Sequence, residues 1–169
     1  MKWIVLTCAA CALIVGAGLE AAQAAALHPP TALAGATGEL REVNSLAGLP
    51  TAIRTGTFAL PGGGKAGGWV LAEPGGRWNP TDVIVDASLP GRRMSVALCD
   101  ASVCALSYER GGIAHVFYVA AFARNGGTWK LEWLAQGNRT IADANALGAL
   151  LRTRSAAGYQ DDANPARDY

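Results

Sequence analysis

Short alternating segments separated by turn residues fill the chain from Thr81 to Leu134 and constrain its fold more than any other feature. From Arg93 to Cys99, for example, apolar and polar residues alternate, which is typical of a strand with one buried face. Turn signals stand at Pro90-Gly91, Gly111-Gly112 and Asn125-Gly126. The pattern predicts consecutive antiparallel strands joined by short connections, at 82–89, 93–99, 103–109, 113–122 and 129–134.

Helical patterns flank these predicted strands. Apolar residues at helical spacing predict a short helix over 39–47, with Pro50 soon after as a stop. Thr140-x-x-Asp143 resembles a capping box in front of a helix that ends near 152–154. We therefore expect an α+β fold. It consists of an antiparallel meander of about five strands, one or two short N-terminal strands at 57–60 and 69–73, and a short N-terminal and a C-terminal helix packed on it.

The turn positions predict which residues face one another in the meander. A turn centred on Asn125-Gly126 places Tyr118 opposite Trp133 and Phe122 opposite Trp129, and one centred on Gly111-Gly112 places Tyr108 opposite His115. A slip of one residue would move every side chain to the other face of the sheet. In this register one face is an apolar core, made of Val83, Val85, Ala87, Met94, Val96, Leu98, Ala105, Val116, Tyr118, Ala120, Phe122, Trp129, Leu131 and Trp133.

The opposite face of the predicted sheet contains the candidate binding residues. An apolar row runs across it, formed by Ile84, Ala97, Leu106, Phe117 and Leu134. A polar row lies beside it, formed by Asp86, Ser95, Tyr108, His115 and Gln136, with Ser88, Arg93 and Arg110 at its flank. An apolar stripe beside a polar stripe is typical of a surface that binds a ligand or a protein. The alternative is structural: the N-terminal helix covers the apolar row, and His115 hydrogen-bonds Tyr108 only for stability.

The predicted register does not assemble a catalytic or metal site. Ser95 and His115 lie two strands apart, and Asp86 and His115 lie three apart, too far for a triad. Glu109 faces the core side near a hairpin tip, where it can remain solvated. The chain has only two histidines, His28 and His115. We therefore predict no catalytic residue, no metal and no cofactor.

Two of the four cysteines, Cys99 and Cys104, lie in the meander and are separated by four residues. In an oxidising compartment this spacing favours a disulfide across the mouth of a hairpin. A reactive thiol or a zinc site is the alternative, but a single C-x4-C with one nearby histidine is a weak zinc motif.

The N-terminus resembles a secretory signal peptide. Lys2 gives a positive start, Ile4 to Leu19 is almost continuously apolar, and Ala22-Gln23-Ala24 offers small residues where a signal peptidase cleaves. The apolar run is short for a bilayer span, which needs about 20 residues. We expect an exported, periplasmic or secreted protein. It is divided into a signal peptide (1–24), a linker (25–38), one α+β domain (39–154) and a disordered tail (155–169), without a transmembrane segment in the mature chain.

The net charge and the absence of catalytic motifs exclude several classes of function. The net charge is +1 and the sequence contains no basic stripe, so nucleic acid is not an expected partner. No motif for hydrolysis, phosphoryl transfer or redox chemistry is present. We expect a binding or inhibitor module that acts through one sheet face on another envelope or secreted protein, such as an envelope-enzyme inhibitor or an immunity-type protein. The alternative is a small-molecule binder or a hydrolase that uses His115.

Overall fold

A long antiparallel sheet forms the centre of the molecule. The computed structural model describes residues 39–64, 66–84, 86–153 and 158–162, so the predicted signal peptide and predicted linker lie outside the described residues. Within these ranges the sheet has seven strands. Six of them follow the order β1-β3-β4-β5-β6-β7, and the seventh, β2, pairs in parallel with β3. The strands are β1 (Arg41–Val43), β2 (Leu71–Ala72), β3 (Arg92–Cys99), β4 (Val103–Arg110), β5 (Val116–Asn125), β6 (Thr128–Gly137) and β7 (Tyr159–Asp161).

The expected α+β fold with an antiparallel meander is present. The meander has five strands, but the additional strand is β7 at its C-terminal end and not the predicted strand at 82–89. Strands β3 to β7 are successive antiparallel neighbours. The predicted strand at 82–89 is wrong: its described residues form turns and bends. The Asp86 carboxylate accepts hydrogen bonds from both the backbone N–H and the hydroxyl of Ser88, and this local turn competes with strand pairing. The outer edge of β3 is paired with β1 and β2 instead.

The predicted register is correct at one hairpin and wrong at two. Cys99 faces Cys104 as expected. Tyr108 faces Tyr118 rather than His115, because residues 111–115 form a loop longer than a two-residue turn. Phe122 faces Leu131, and Trp133 faces Ala121, where Trp129 and Tyr118 were expected.

The β5–β6 turn explains the last of these errors. Its central residues are Gly126 and Gly127, with φ of 56° and 88°, so that Asn125 pairs directly with Thr128. Two consecutive positive φ angles are what the tight turns of two-residue hairpins require, and glycine adopts them without strain.

Two irregularities in the ladder invalidate a simple alternation of faces. One adds Ser95 to β3 between Met94 and Val96, and the other adds Glu132 to β6 between Leu131 and Trp133, which face Phe122 and Ala121 of β5. An extra residue at such a bulge moves the following side chains to the opposite face. Met94 and Ala97 therefore belong to one core cluster, whereas Val96 and Leu98 belong to another.

Both faces of the sheet are buried. The segment from Leu49 to Leu71 covers one face and the C-terminal helix covers the other. The first cluster includes Leu49, Ile53, Phe58, Leu60, Trp69, Leu71, Met94, Ala97, Leu106, Tyr108, Tyr118, Phe122, Trp129, Leu131 and Leu134. The second includes Val96, Leu98, Ala105, Val119, Ala121, Trp133, Ala135, Ile141, Leu147 and Leu150. Each large side chain buried in this way stabilises the fold by about 1.5–3 kcal/mol.

The C-terminal helix lies where the sequence predicts it, whereas the N-terminal one does not. The expected helix over 39–47 is wrong, because 41–43 pairs with β3; a 3₁₀ turn at Leu46–Gly48 and helix α1 (Thr51–Thr55) follow. The C-terminal helix α2 spans Ala144–Thr153. Asp143 caps it by accepting a hydrogen bond from the Ala146 N–H at 2.8 Å.

Strand β7 lies inside the segment that we expected to be a disordered tail. It pairs with residues 135–137 of β6, and the Tyr159 ring packs against Gly137, where a Cβ atom would clash with it. Residues 158–162 are therefore part of the sheet, while 154–157 and 163–169 lie outside the described residues. Among the described residues, no helix is long and apolar enough to cross a membrane.

Candidate functional site

The structure separates most of the predicted polar row. Tyr108 is buried and stacks on Tyr118, with ring centroids 5.2 Å apart. The hydroxyl of Ser95 hydrogen-bonds that of Thr140 on the far side of the sheet from Tyr108. Asp86 lies in the loop before β3, Gln136 is exposed on β6, and Arg110 ends β4 opposite Arg92 and Val116. Two of the predicted residues from different strands of the predicted sheet, Arg93 and His115, come together through a third residue.

The group that joins Arg93 and His115 is Glu109. Its carboxylate accepts a hydrogen bond from Arg93 Nη2 on Oε1 at 3.0 Å, and its Oε2 lies 2.7 Å from His115 Nε2. The Glu109 side chain is only 8% exposed, against 41% for His115. Arg93 faces Glu109 across β3 and β4, so the sheet register itself aligns the ion pair. Charge-assisted hydrogen bonds of this kind are stronger than neutral ones.

Trp78 lies against both partners of Glu109. The Arg93 guanidinium lies 5.1 Å from the centroid of the Trp78 ring, and the His115 ring meets it edge-on at 5.2 Å. Phe117 packs against His115 from β5 at 4.7 Å. We call Trp78, Arg93, Glu109, His115 and Phe117 the Glu109 cluster. It joins the chain before β3 to three strands of the sheet.

The loop that follows Trp78 is closed on itself. The Asn79 N–H donates to the Pro90 carbonyl at 2.9 Å, and the Asn79 amide donates to the carbonyls of Asp86 and Leu89. Asn79 is buried. A compact surface loop of this length with adjacent ends is an Ω-loop, a class that is frequently functional. We call residues 79–90 the Asn79 loop.

The Asn79 loop exposes its apolar residues while burying an amide. Val83 is 65% exposed and Ile84 68%, and Ile113 in the β4–β5 loop is 98% exposed. The two loops meet, because the Gly111 N–H donates to the Gly91 carbonyl and a side chain at Gly111 would clash with Asn79 and Pro80. We call the Asn79 loop and residues 111–115 together the loop end of the sheet.

A cleft of about 300 Å³ lies between these two loops. Ile84, Ala87 and Leu89 supply its apolar side chains, and Asp82 and Thr81 are among its polar ones. Its glycines, Gly91, Gly111 and Gly112, leave backbone accessible. The volume is at the lower limit of pockets that hold small ligands.

Four ionisable groups among the described residues have shifted pKa values: Asp86, Asp100, Tyr159 and Asp161. Hydrogen bonds from Ser88 lower the pKa of Asp86. Burial raises the pKa of Tyr159 to about 12; the Arg139 guanidinium opposes this shift, and the Glu109 carboxylate makes a smaller contribution that adds to it. Burial also raises the pKa of Asp161 on β7. The Glu109 charge therefore acts on Tyr159 as well as on its own two partners.

The cluster contains part of a catalytic arrangement. A histidine oriented by a carboxylate is the base of hydrolytic triads, but such a base also needs a nucleophile within hydrogen-bond distance. Among the described residues the His115 ring nitrogens hydrogen-bond Glu109 alone. No group of three or more His, Cys, Asp or Glu side chains in the described ranges could hold a metal ion.

Sequence reasoning missed Glu109 and Trp78. Alternation places Glu109 on the core side, and its position near a hairpin tip predicts that it stays solvated, whereas the structure buries it. A useful signal was present: an acid on a core-facing position, with Arg93 and His115 on the neighbouring strands. Trp78 gave no such signal, because its contact with the sheet depends on the path of a loop.

No protein family, curated protein or solved structure matches this chain. Function must therefore be inferred from the chemistry of the loop end and the Glu109 cluster.

Proposed function

We propose that this chain is an exported binding or inhibitor module that contacts a partner protein through the loop end of its sheet. The observation that carries the proposal is the exposure of Val83, Ile84 and Ile113 on two adjoining loops. Single exposed apolar residues are common, but several together beside polar groups are typical of a protein interface.

The architecture of the Asn79 loop supports this assignment. A loop that only connects two elements gains stability by burying its apolar residues and leaving polar ones in water. Here the buried side chain is Asn79, held by two carbonyls, while Val83 and Ile84 point to solvent. Binding a partner would remove those side chains from water and recover the missing apolar burial.

The location of the surface also supports it. In the part of the chain that the structure describes, both faces of the sheet are covered by the chain's own residues, so the predicted sheet face offers no broad free surface there. The loop end is continuous with the Glu109 cluster, because Trp78 directly precedes the Asn79 loop and His115 belongs to residues 111–115. Aromatic residues and arginine are enriched at the centres of protein interfaces, which suits Trp78 and Arg93.

The N-terminal sequence and the disulfide favour an envelope or secreted partner. Cys99 and Cys104 form a disulfide, as expected for an oxidising compartment. A signal peptide that ends near Ala24 predicts a mature N-terminus near Ala25, which mass spectrometry of the native protein would reveal. A native protein that retains Met1 as its main form would contradict export.

A matched pair of variants tests the binding surface. Ile113→Asp places a charge at the loop end, whereas Ala101→Asp places one on an exposed bend at the opposite end of β3 and β4. Both are used as bait for the envelope fraction of the native cell. We expect Ile113→Asp to reduce the recovered partner at least tenfold and Ala101→Asp to leave it unchanged. Equal recovery by the two variants would place the interface elsewhere.

Small-molecule binding is the second candidate, favoured by the cleft beside Ile84. Its apolar side chains and accessible glycine backbone suit a compact apolar ligand, and Asp82 suits a donor or cation on that ligand. Isothermal titration with 3-methylbutylamine and with 3-methylbutanoate distinguishes this case. Preference for the amine that disappears in Asp82→Asn supports it, and the absence of binding by either probe excludes it.

A further inference from the structure

We infer that Glu109 is the positioning residue of the loop end: its buried carboxylate holds Trp78 against the sheet and thereby sets the conformation in which the Asn79 loop presents Val83 and Ile84. The inference rests on the proposed function for its consequence in binding. The conformational part stands on contacts within the chain and is tested separately.

The first step is that Glu109 has two partners and little access to water. Its side chain is 8% exposed, and its two oxygens contact Arg93 Nη2 and His115 Nε2. A carboxylate so little exposed needs hydrogen-bond partners, because burying a carboxylate without them costs free energy. Both partner side chains are consequently held in fixed positions, although His115 itself is largely exposed.

The second step is that both partners touch the same ring. Arg93 lies over the Trp78 ring and His115 contacts it edge-on. A cation over an aromatic ring contributes about 0.5–1 kcal/mol at an exposed site, and more when water is excluded. Trp78 is thus fixed by two contacts, and both depend on one carboxylate.

The third step is the covalent link from Trp78 to the loop. Trp78 directly precedes Asn79, whose backbone and amide close the loop on Asp86, Leu89 and Pro90. Asn79 in turn lies against Gly111 in the β4–β5 loop. Loss of the Trp78 contacts would free the base of the Asn79 loop and alter its contact with the segment that bears Ile113.

Glu109→Gln is the decisive substitution. Glutamine has nearly the same shape but no charge and only one acceptor oxygen, so it replaces the ion pair with Arg93 by a neutral hydrogen bond, and its NH₂ group then meets His115 Nε2, which must act as an acceptor. Glu132→Gln is the matched control, since Glu132 forms an ion pair with Lys130 on β6 at 3.2 Å and takes no part in the Glu109 cluster.

Hydrogen exchange of the mature domain without any partner tests the conformational claim. We expect amides of residues 79–90 to exchange at least tenfold faster in Glu109→Gln than in wild type, with those of β5 and β6 within twofold. In protein labelled with 5-fluorotryptophan, the ¹⁹F resonance of Trp78, assigned with Trp78→Phe, should shift while that of Trp129 stays in place. Glu132→Gln should change neither.

Two outcomes would overturn the inference. Exchange of the loop at the wild-type rate would show that Trp78 is held by other contacts. A uniform increase over all strands would show that Glu109 stabilises the whole domain without any special effect on the loop. If Glu109→Gln does not fold, His115→Asn is used in its place. It removes one of the two contacts with the Trp78 ring and must produce the same local increase in the hydrogen-exchange rate of the Asn79 loop.

Binding is measured afterwards on the same variants. If wild type captures a partner through Ile113, Glu109→Gln should weaken the capture at least tenfold although it changes no exposed apolar residue. Unchanged capture by a variant with a loosened loop would refute the role in binding. Failure of wild type to use Ile113 would refute the proposed function instead and leave the exchange result standing.

Discussion

Glu109 Oε2 and His115 Nε2 lie 2.7 Å apart across the β4–β5 hairpin. The Glu109 side chain is 8% exposed and that of His115 is 41% exposed. The pair is not in direct register, because Glu109 faces Phe117 in the ladder and His115 precedes β5. The contact therefore depends on the path of the loop from Gly111 to His115. It connects the interior of the sheet with the surface at which we propose that a partner binds.

This contact should be measurable as an energetic coupling. A double-mutant cycle of Glu109→Gln and His115→Asn isolates the pair from the effects of each substitution alone. We expect a coupling of about 1–2 kcal/mol in the free energy of urea unfolding, as for hydrogen bonds to a charged group. The same cycle on Lys130 and Glu132, a more exposed pair, should give at most about 0.5 kcal/mol. Equal coupling energies for the two pairs would mean that burial of Glu109 does not strengthen its interaction with His115.

The Cys99–Cys104 disulfide should be fully formed and should contribute only modestly to the free energy of unfolding. Thiol labelling of denatured, non-reduced mature protein should detect no free cysteine, because Cys99 and Cys104 are bonded. Replacing both with alanine should lower the free energy of unfolding by about 2 kcal/mol, since so short a loop restricts the unfolded chain only slightly. A loss of more than about 4 kcal/mol would point to packing of the buried sulfurs as the larger contribution.

The β5–β6 turn gives a prediction about backbone conformation. Gly127 has a φ of 88° and open space around the position of a Cβ atom. Gly127→Ala should therefore destabilise the domain by about 1 kcal/mol through strain alone. Gly91→Ala is the control, because Gly91 has similar open space without a positive φ. Thermal unfolding in which Gly91→Ala is the more damaging change would contradict the assigned turn.

Tyr159 should make stability depend on pH in the alkaline range. Burial raises its pKa from 10.0 to about 12, so the folded state favours the neutral phenol. The corresponding stability is fully present below pH 10 and is lost as the pH rises from 10 to 12. Unfolding free energies measured from pH 9 to 12 should fall more steeply for wild type than for Tyr159→Phe. Parallel curves would show that Tyr159 titrates normally.

The fold class could be predicted from sequence because local signals agreed with the long-range structure. Alternation, turn residues and the helical face after Asp143 each point to the meander and its covering helix. The Cys99–Cys104 pairing was predicted for the same reason, since that hairpin has no insertion near its turn.

The site could not be predicted because register and loop paths are long-range properties. Two ladder irregularities change the face of a strand, and neither extra residue, Ser95 in β3 or Glu132 in β6, is a glycine that would mark a bulge in the sequence. Tyr108 was consequently assigned to a polar surface, although it is buried against Tyr118. Trp78 reaches the sheet through a loop whose closure by Asn79 depends on carbonyls 7 and 10 residues away.

The central claim is that the loop end binds a partner protein, and site-specific photo-crosslinking in the native cell tests it most directly. A benzophenone amino acid is placed at Ile113, which is 98% exposed, and in a second strain at Ala101 on the opposite end. The account predicts one dominant crosslinked species at Ile113 that is absent at Ala101 and weakened by Glu109→Gln. A crosslink at Ala101 with none at Ile113 would contradict it.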